Sequence, residues 1–447
     1  MHSAAKVLAC PVAGGHPGAT DLEMLVNGQP VGIELYTPPP LPEEAPVWFV
    51  GRQGDAPWLS DMQVYLARFA CAGPCNVRLT APGREVPPLV RPKSRGVPAE
   101  AEGDRAELSL PGPGKYYVDF SSGPPLLVIA DPLDAPWYNP PEAQSRYFGP
   151  GVHEPGLMTL EDGETVHIDA GALVYGGFRG SPIGARVIGA GVLDGSKVDR
   201  GMVRLQDAED FEVRGVVMRG GNGWQNTLSG CRSVAYRGVS VLSSVPSGDG
   251  VNPVGCRDVV IEDCFFRCSD DCMAVKARHA GAAVGDISVR RCVMVGYALS
   301  DGFTVGFEMV ADTVSRIRVQ DCDVLYSNGT NAVGYHSAFS IICDGPATVS
   351  DVLFEDIRVE ENVERLFEIN VTDGQKYVHE PAGRVRGVTV RNVSWEVEKP
   401  IILHGHDADH MVRDVLFDGC NVAGRSLAEV KDRVVQQNEF VTGLRYS

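Results

Sequence analysis

The sequence predicts an all-β protein, a right-handed parallel β-helix preceded by a small N-terminal β-sandwich. Three observations carry this. The chain has 447 residues with 44% hydrophobic content, enough to bury a large core. Its 51 Gly and 31 Pro punctuate many short Val-rich runs, the pattern of strands and turns and not of long helices. The third observation is an internal repeat.

An eight-residue unit recurs as "FEVRGVVM" from 211, "VAYRGVSV" from 234, "VVIEDCFF" from 259, "ISVRRCVM" from 287, "IRVQDCDV" from 317, "VLFEDIRV" from 352, "VTVRNVSW" from 388 and "VLFDGCNV" from 415. Alternating apolar residues give each unit one buried face, and a polar pair in its middle marks a turn between two short strands. No such unit is stable alone. Stacked, each buries its inner face on its neighbours, and starts 23 to 36 residues apart suit coils of a β-helix with loops of variable length. Cys264, Cys292, Cys322 and Cys420 share one place in four units and are expected as a column of small apolar side chains, inward and unbridged.

The segments "TVHIDAGALVYGG" from 165 and "ARVIGAGVLDG" from 185 read as the first coils, so the helix starts near residue 150. Before it, "PVWFVG", "KYYVDFSS" and "PPLLVIADP" are separated by Pro and Gly clusters without the repeat, the pattern of an antiparallel sandwich over residues 1–135. Residues 136–447 then hold a stiff, Pro-rich connector and the β-helix.

The formal net charge of -18 disfavours nucleic acid and anionic membranes as partners, and weighs mildly against a polyanionic substrate. The first residues carry no signal-like apolar region and no run long enough to span a membrane occurs, so a cytoplasmic location is expected unless a signal was removed. The twelve cysteines form no zinc pattern, and His404, His406 and His410 lack an accompanying acid or thiol set, so no metal or other cofactor is expected. No phosphate loop, serine elbow or nicotinamide fingerprint is present. Oligomeric state is not legible.

The stretch "SGDGVNPVGCRDVVIEDCFFRCSDDC", residues 247–272, is the chemical core. Equivalent positions of successive coils lie about 4.8 Å apart, and Asp249 precedes Asp270 and Asp271 by about one coil. Carboxylates so close cannot all ionise cheaply, so one keeps a proton while another is a base, as glycosidic cleavage requires. They are expected to titrate as a set. Aspartate is also common at β-helix turns, so no single one of these residues is diagnostic.

The whole stretch resembles the polygalacturonase family of glycoside hydrolases, which carries Asn-Thr-Asp-Gly, a hydrophobic strand, then Gly-Asp-Asp-Cys and Ala-Ile-Lys. Here these stand as Ser247-Gly248-Asp249-Gly250, "CRDVVIEDCFF", and Ser269-Asp270-Asp271-Cys272 with Ala274, Val275 and Lys276. The resemblance implies an inverting hydrolase with Asp270 as general acid and Asp249 and Asp271 holding the attacking water. Inverting pairs ordinarily stand about 6.5 to 9.5 Å apart.

Two departures from that family matter. "SDGFTVGFEM" places Asp301 where the family has histidine, while keeping Glu308 and Met309. "GYHSAFSI" at 334–341 offers Tyr335 and His336 where the family has a basic clamp for the galacturonate carboxylate. Without the clamp, a neutral α-linked glycan is the expected substrate, and the dextranase and isopullulanase family has a similar sandwich-plus-helix layout. Trp224 and Asn226 in "GGNGWQN", with Lys276, Asp301, Glu308, Tyr335 and His336, are the candidate sugar-binding residues; Tyr297 and Phe303 are further candidate platforms. The rival readings are a pectin hydrolase, a polysaccharide lyase or epimerase, and a non-catalytic glycan-binding solenoid. The excursion "EINVTDGQKYVHEPAGR" at 368–384 is expected to wall the cleft.

Overall fold

The computed structural model describes residues 6–15, 18–39, 62–84, 86–120, 122–139, 145–296, 300–327, 336–374 and 377–447. Two sheets come first. Val7–Ala9, Ile33–Tyr36, Val64–Cys71, Leu89–Arg91, Gly114–Asp119 and Leu126–Pro132 form one, and Glu23–Val26, Gln29–Val31, Cys75–Thr80, Ala99–Glu102 and Arg105–Leu110 the other. Met24, Val26, Phe69, Val77, Leu79, Leu108, Tyr116 and Val128 fill the space between them. The pairing departs from a purely antiparallel sandwich, because Val64–Cys71 runs parallel to Leu126–Pro132.

The reason lies in burial. Val64–Cys71 is buried along its whole length, reading "VYLARFAC" without alternation, as a strand covered on both faces does. Its outer face, with Leu66, Tyr117, Leu127 and Ile129, packs on Leu173, Val192, Val217, Leu242, Phe265 and Val293 of the β-helix. Polar ties flank this apolar seam. Arg91 pairs with Glu360 and, at 2.8 Å, Glu361, and Lys93 reaches Glu396 at 2.7 Å.

Among the described residues a single sheet path of 32 strands, from Arg146–Phe148 to Arg445–Tyr446, makes the right-handed parallel β-helix. The repeat units are its coils. Phe211, Val234, Val259, Ile287, Ile317, Val352, Val388 and Val415 are register partners in succession, and all are buried. Cys264, Cys292, Cys322 and Cys420 are buried and free; the Cys264, Cys292 and Cys420 thiols point at carbonyls of the preceding coil. An amphipathic helix, Leu427–Val434, turns Leu427, Val430 and Val434 onto the last coil and closes the core. Among the described residues no helix is long and apolar enough to cross a membrane.

The turns explain several of the aspartates. Asp258, Asp263, Asp286, Asp321, Asp351, Asp356 and Asp414 all have φ between 51° and 57°, the left-handed region that Asp tolerates better than most residues. Several pair with arginines one coil away, as Asp286 does with Arg316 and Asp351 with Arg318. These are structural residues.

Candidate active site

Asp249, Asp270, Asp271 and Asp301 are absent from that left-handed set. They lie where the sheet covered by the N-terminal strands turns into the sheet of Val251–Val254, Ala274–Ala277 and Phe303–Met309. Backbone bonds fix their stacking: Gly250 N donates to Asp271 O at 2.9 Å, and Cys272 N to Asp301 O at 3.0 Å. Asp249, Asp271 and Asp301 therefore occupy one column in three successive coils. Gly250 permits this approach, since a Cβ there would lie 2.3 Å from Cys272 O.

Oxygens of Asp249, Asp270 and Asp271 lie within 4.8 Å of one another. That is closer than the span expected for an inverting pair, because two of the groups are adjacent in sequence and the third sits one coil away. Asn252 Nδ2 donates to Asp249 Oδ2 at 2.9 Å, Asp271 N to Asp270 Oδ1 at 2.9 Å, and Asp301 N to Asp271 Oδ1 at 3.0 Å. Asp249 and Asp271 are 3% and 5% exposed, while Asp270 is the partly exposed member.

Burial first, and then mutual repulsion, hold the Asp270 and Asp271 carboxyls well above the carboxylate range. Burial also raises Asp249, against the pull of Lys276, to about 6. Lys276 is held up by Asp249, Glu308, Asp271 and Asp270 despite its burial. Its Nζ stands 3.8 Å from Glu308 Oε2 and 4.8 Å from the Trp224 ring centroid. Arg278 pairs with Glu308 and covers the same indole, also at 4.8 Å.

Trp224 is thus fixed at the cleft edge by two cations. It lines a cavity of about 660 Å³ together with Asp199, Arg200, Arg204, Asn222, Ser247 and Arg278. Arg200 has no carboxylate partner among the described residues, and Arg204 reaches Asp199 only at 3.4 Å. Beyond Lys276, which the sequence placed near the site, three arginines that the sequence reading did not single out line this cavity. The basic residues come from other coils than the family's clamp, which is why the segment 334–341 did not reveal them.

Other expectations are also revised. Asn226 is fully buried and donates to Gly250 O at 2.9 Å, so it supports the Asp249 turn and does not face a ligand. Asp301 is 1% exposed; Ser337 N donates to its Oδ1 at 2.7 Å and the Ser340 hydroxyl to its Oδ2. It sits behind Asp271 as a support, shut off from sugar. His336 is buried beside it, Nδ1 at 3.7 Å from Asp301 Oδ1. Phe303 belongs to the core against Phe354. Tyr297 and Tyr335 lie outside the described residues.

The excursion after residue 368 contributes a residue not foreseen, Tyr377. It packs edge-on against Phe307 with centroids 5.4 Å apart. Burial and the charges of Asp270, Asp271, Glu308 and Asp344 raise its phenol above the ordinary value. Arg278 was also missed, although its place two residues after Lys276 puts both on one strand face. Asp271, Asp301 and His336 have the donor types for a cation; both oxygens of Asp301 and Oδ1 of Asp271 already accept hydrogen bonds.

Known proteins agree with this architecture. The structure is similar to Dex49A from Penicillium minioluteum, with TM-score 0.58, 13% identity, and 98% of this chain and 96% of that one covered. It is also similar to the family 28 exopolygalacturonase of Yersinia enterocolitica, with TM-score 0.52, 11% identity, and coverage of 100% and 98%. At these identities the likeness concerns the fold alone. A curated "Probable polygalacturonase" of Vitis vinifera is 30% identical over 78 residues, which span 17% of this chain and only 16% of that relative. Residues 189–438, which carry the repeat, the stacked aspartates and the arginine-lined cleft, match the model of glycosyl hydrolases family 28, and the chain belongs to that family.

Proposed function

We propose that this glycoside hydrolase cleaves an anionic polysaccharide with inversion at the anomeric carbon. The observation that carries the chemistry is the cluster of Asp249, Asp270 and Asp271, with oxygens within 4.8 Å of one another and one member, Asp270, partly exposed. Asp270, kept protonated by burial and by Asp249, gives its proton to the leaving-group oxygen as the glycosidic C–O bond breaks. Asp249 and Asp271 are recessed and tied by Asn252 Nδ2 and Asp301 N, so neither reaches a sugar carbon readily. A water between them does. Two hydrogen bonds of about 2.8 Å, opened near the angle of a water molecule, bridge such a gap. The water oxygen attacks the face opposite the leaving group and its proton passes to Asp249, the less strongly raised member of the pair.

Support for an anionic substrate comes from Arg200, Arg204 and Arg278 around Trp224, since guanidinium groups match planar carboxylates. The curated relative's name points the same way, toward polygalacturonate. The test is hydrolysis of a panel of uronate-containing and neutral α-linked glycans. Turnover of the uronate polymers supports this reading. Turnover confined to neutral glycans overturns it and restores the substrate first expected.

A further inference from the structure

Most arginines on the outer face of the β-helix meet an acid one coil away. Arg290 and Arg291 meet Glu262, Arg316 meets Asp286, Arg318 meets Asp351, and Arg391 meets Asp418. Arg384, Arg386 and Arg413 do not. Register explains why: Arg384 faces Thr348, Arg386 faces Ser350 on one side and Arg413 on the other, and Arg413 faces Thr442. Two guanidinium groups therefore stand side by side at the strand spacing, an arrangement that repels, with Arg384 two residues away on the same face.

The three line a pocket of about 220 Å³ with Thr348, Val385, Asp409 and Met411. Asp409 makes no ion pair with any of them among the described residues, and Arg413 Nη2 finds only Met411 Sδ, at 3.2 Å, a weak acceptor. In a chain of net charge -18 this is a local excess of the opposite sign. Its donors are forked and planar, and its volume admits one charged group and not an enclosed oligosaccharide.

We propose that this pocket is a second oxyanion site, outside the cleft, which holds one carboxylate-bearing residue of the polysaccharide. The uronate source rests on the function proposed above; the shared chemistry with free phosphate is the oxyanion. Arg386 bonds the carboxylate with Arg413 beside it, and the repulsion between them is relieved by the bound charge.

The test uses the full chain carrying Asp270→Asn, so that turnover of oligo-uronates is slowed while they bind, with calorimetry at low ionic strength. Two binding sites per chain are expected, and adding Arg386→Ser with Arg413→Ser is expected to remove one by weakening it about tenfold or more. Thermal melting checks that the variant is folded. Equal stoichiometry with and without the two serines overturns the site. Binding of inorganic phosphate but not of oligo-uronate, lost in the double variant, overturns the glycan assignment. Adding Arg200→Ser instead reports on the cleft, so failure of the cleft to bind uronate is told apart from failure of this pocket.

Discussion

The main-chain amide of Asp301 donates to Asp271 Oδ1 at 3.0 Å, one coil away. Asp301 thus holds Asp271 through its backbone and repels it through its side-chain charge, which also raises Asp270. Replacing Asp301 by Asn keeps the amide, and the Ser340 hydroxyl can turn to accept from the new NH₂ group. The Asp270 and Asp271 carboxyls should then lose a proton more easily, so the basic limb of the pH–rate profile should move toward acid. An unmoved limb in kcat/KM measurements would show that the charge of Asp301 is not felt in the cluster.

Asp270→Asn removes the proposed proton donor while its Oδ1 can still accept from Asp271 N. Turnover should fall by about 10²- to 10⁴-fold, with the circular-dichroism spectrum unchanged.

The same substitution has a thermal consequence. Asp270 is raised above its unfolded value, so its folded state holds the proton more tightly. Its contribution to stability is full below the unfolded carboxylate range, near 4, and is lost as pH rises through the folded value. Asp270→Asn removes that loss. Its melting temperature should therefore exceed the wild type's at high pH, and the gap should close on acidification. A gap that widens in acid would contradict the proton assignment.

The repeat, the cysteine column and the Asp249–Asp271 stack were legible because each depends on a period that the chain carries in its own order. Asp249 and Asp271 are 22 residues apart, close to one coil. Asp301 is a further 30 residues on, across a longer loop, and spacing alone left its burial open. Asn226 was misread because its partner, the Gly250 carbonyl, belongs to another coil. Arg200 and Arg204 enter the cleft from a coil earlier still, and Val64–Cys71 finds its parallel partner some 60 residues away. None of these contacts has a local signal.

Lys276 lowers the Asp249 carboxyl, which burial holds near 6. Lys276→Met should raise it, moving the acid limb of kcat/KM to higher pH. A limb moving the other way would place the base elsewhere.

Gly250→Ala should destabilise the chain by about 1 to 3 kcal/mol, since its Cβ would meet Cys272 O at 2.3 Å. Gly73→Ala, whose Cβ meets nothing within 4 Å, is the control. Chemical denaturation of both variants measures the difference.

The most direct measurement is proton NMR of the first product released from a uronate oligosaccharide by the wild-type chain, followed before mutarotation. The recessed Asp249–Asp271 pair and the partly exposed Asp270 predict that the new reducing end appears with its anomeric configuration inverted. A product of retained configuration would mean that one carboxylate attacks the sugar itself, and would contradict the water-mediated account.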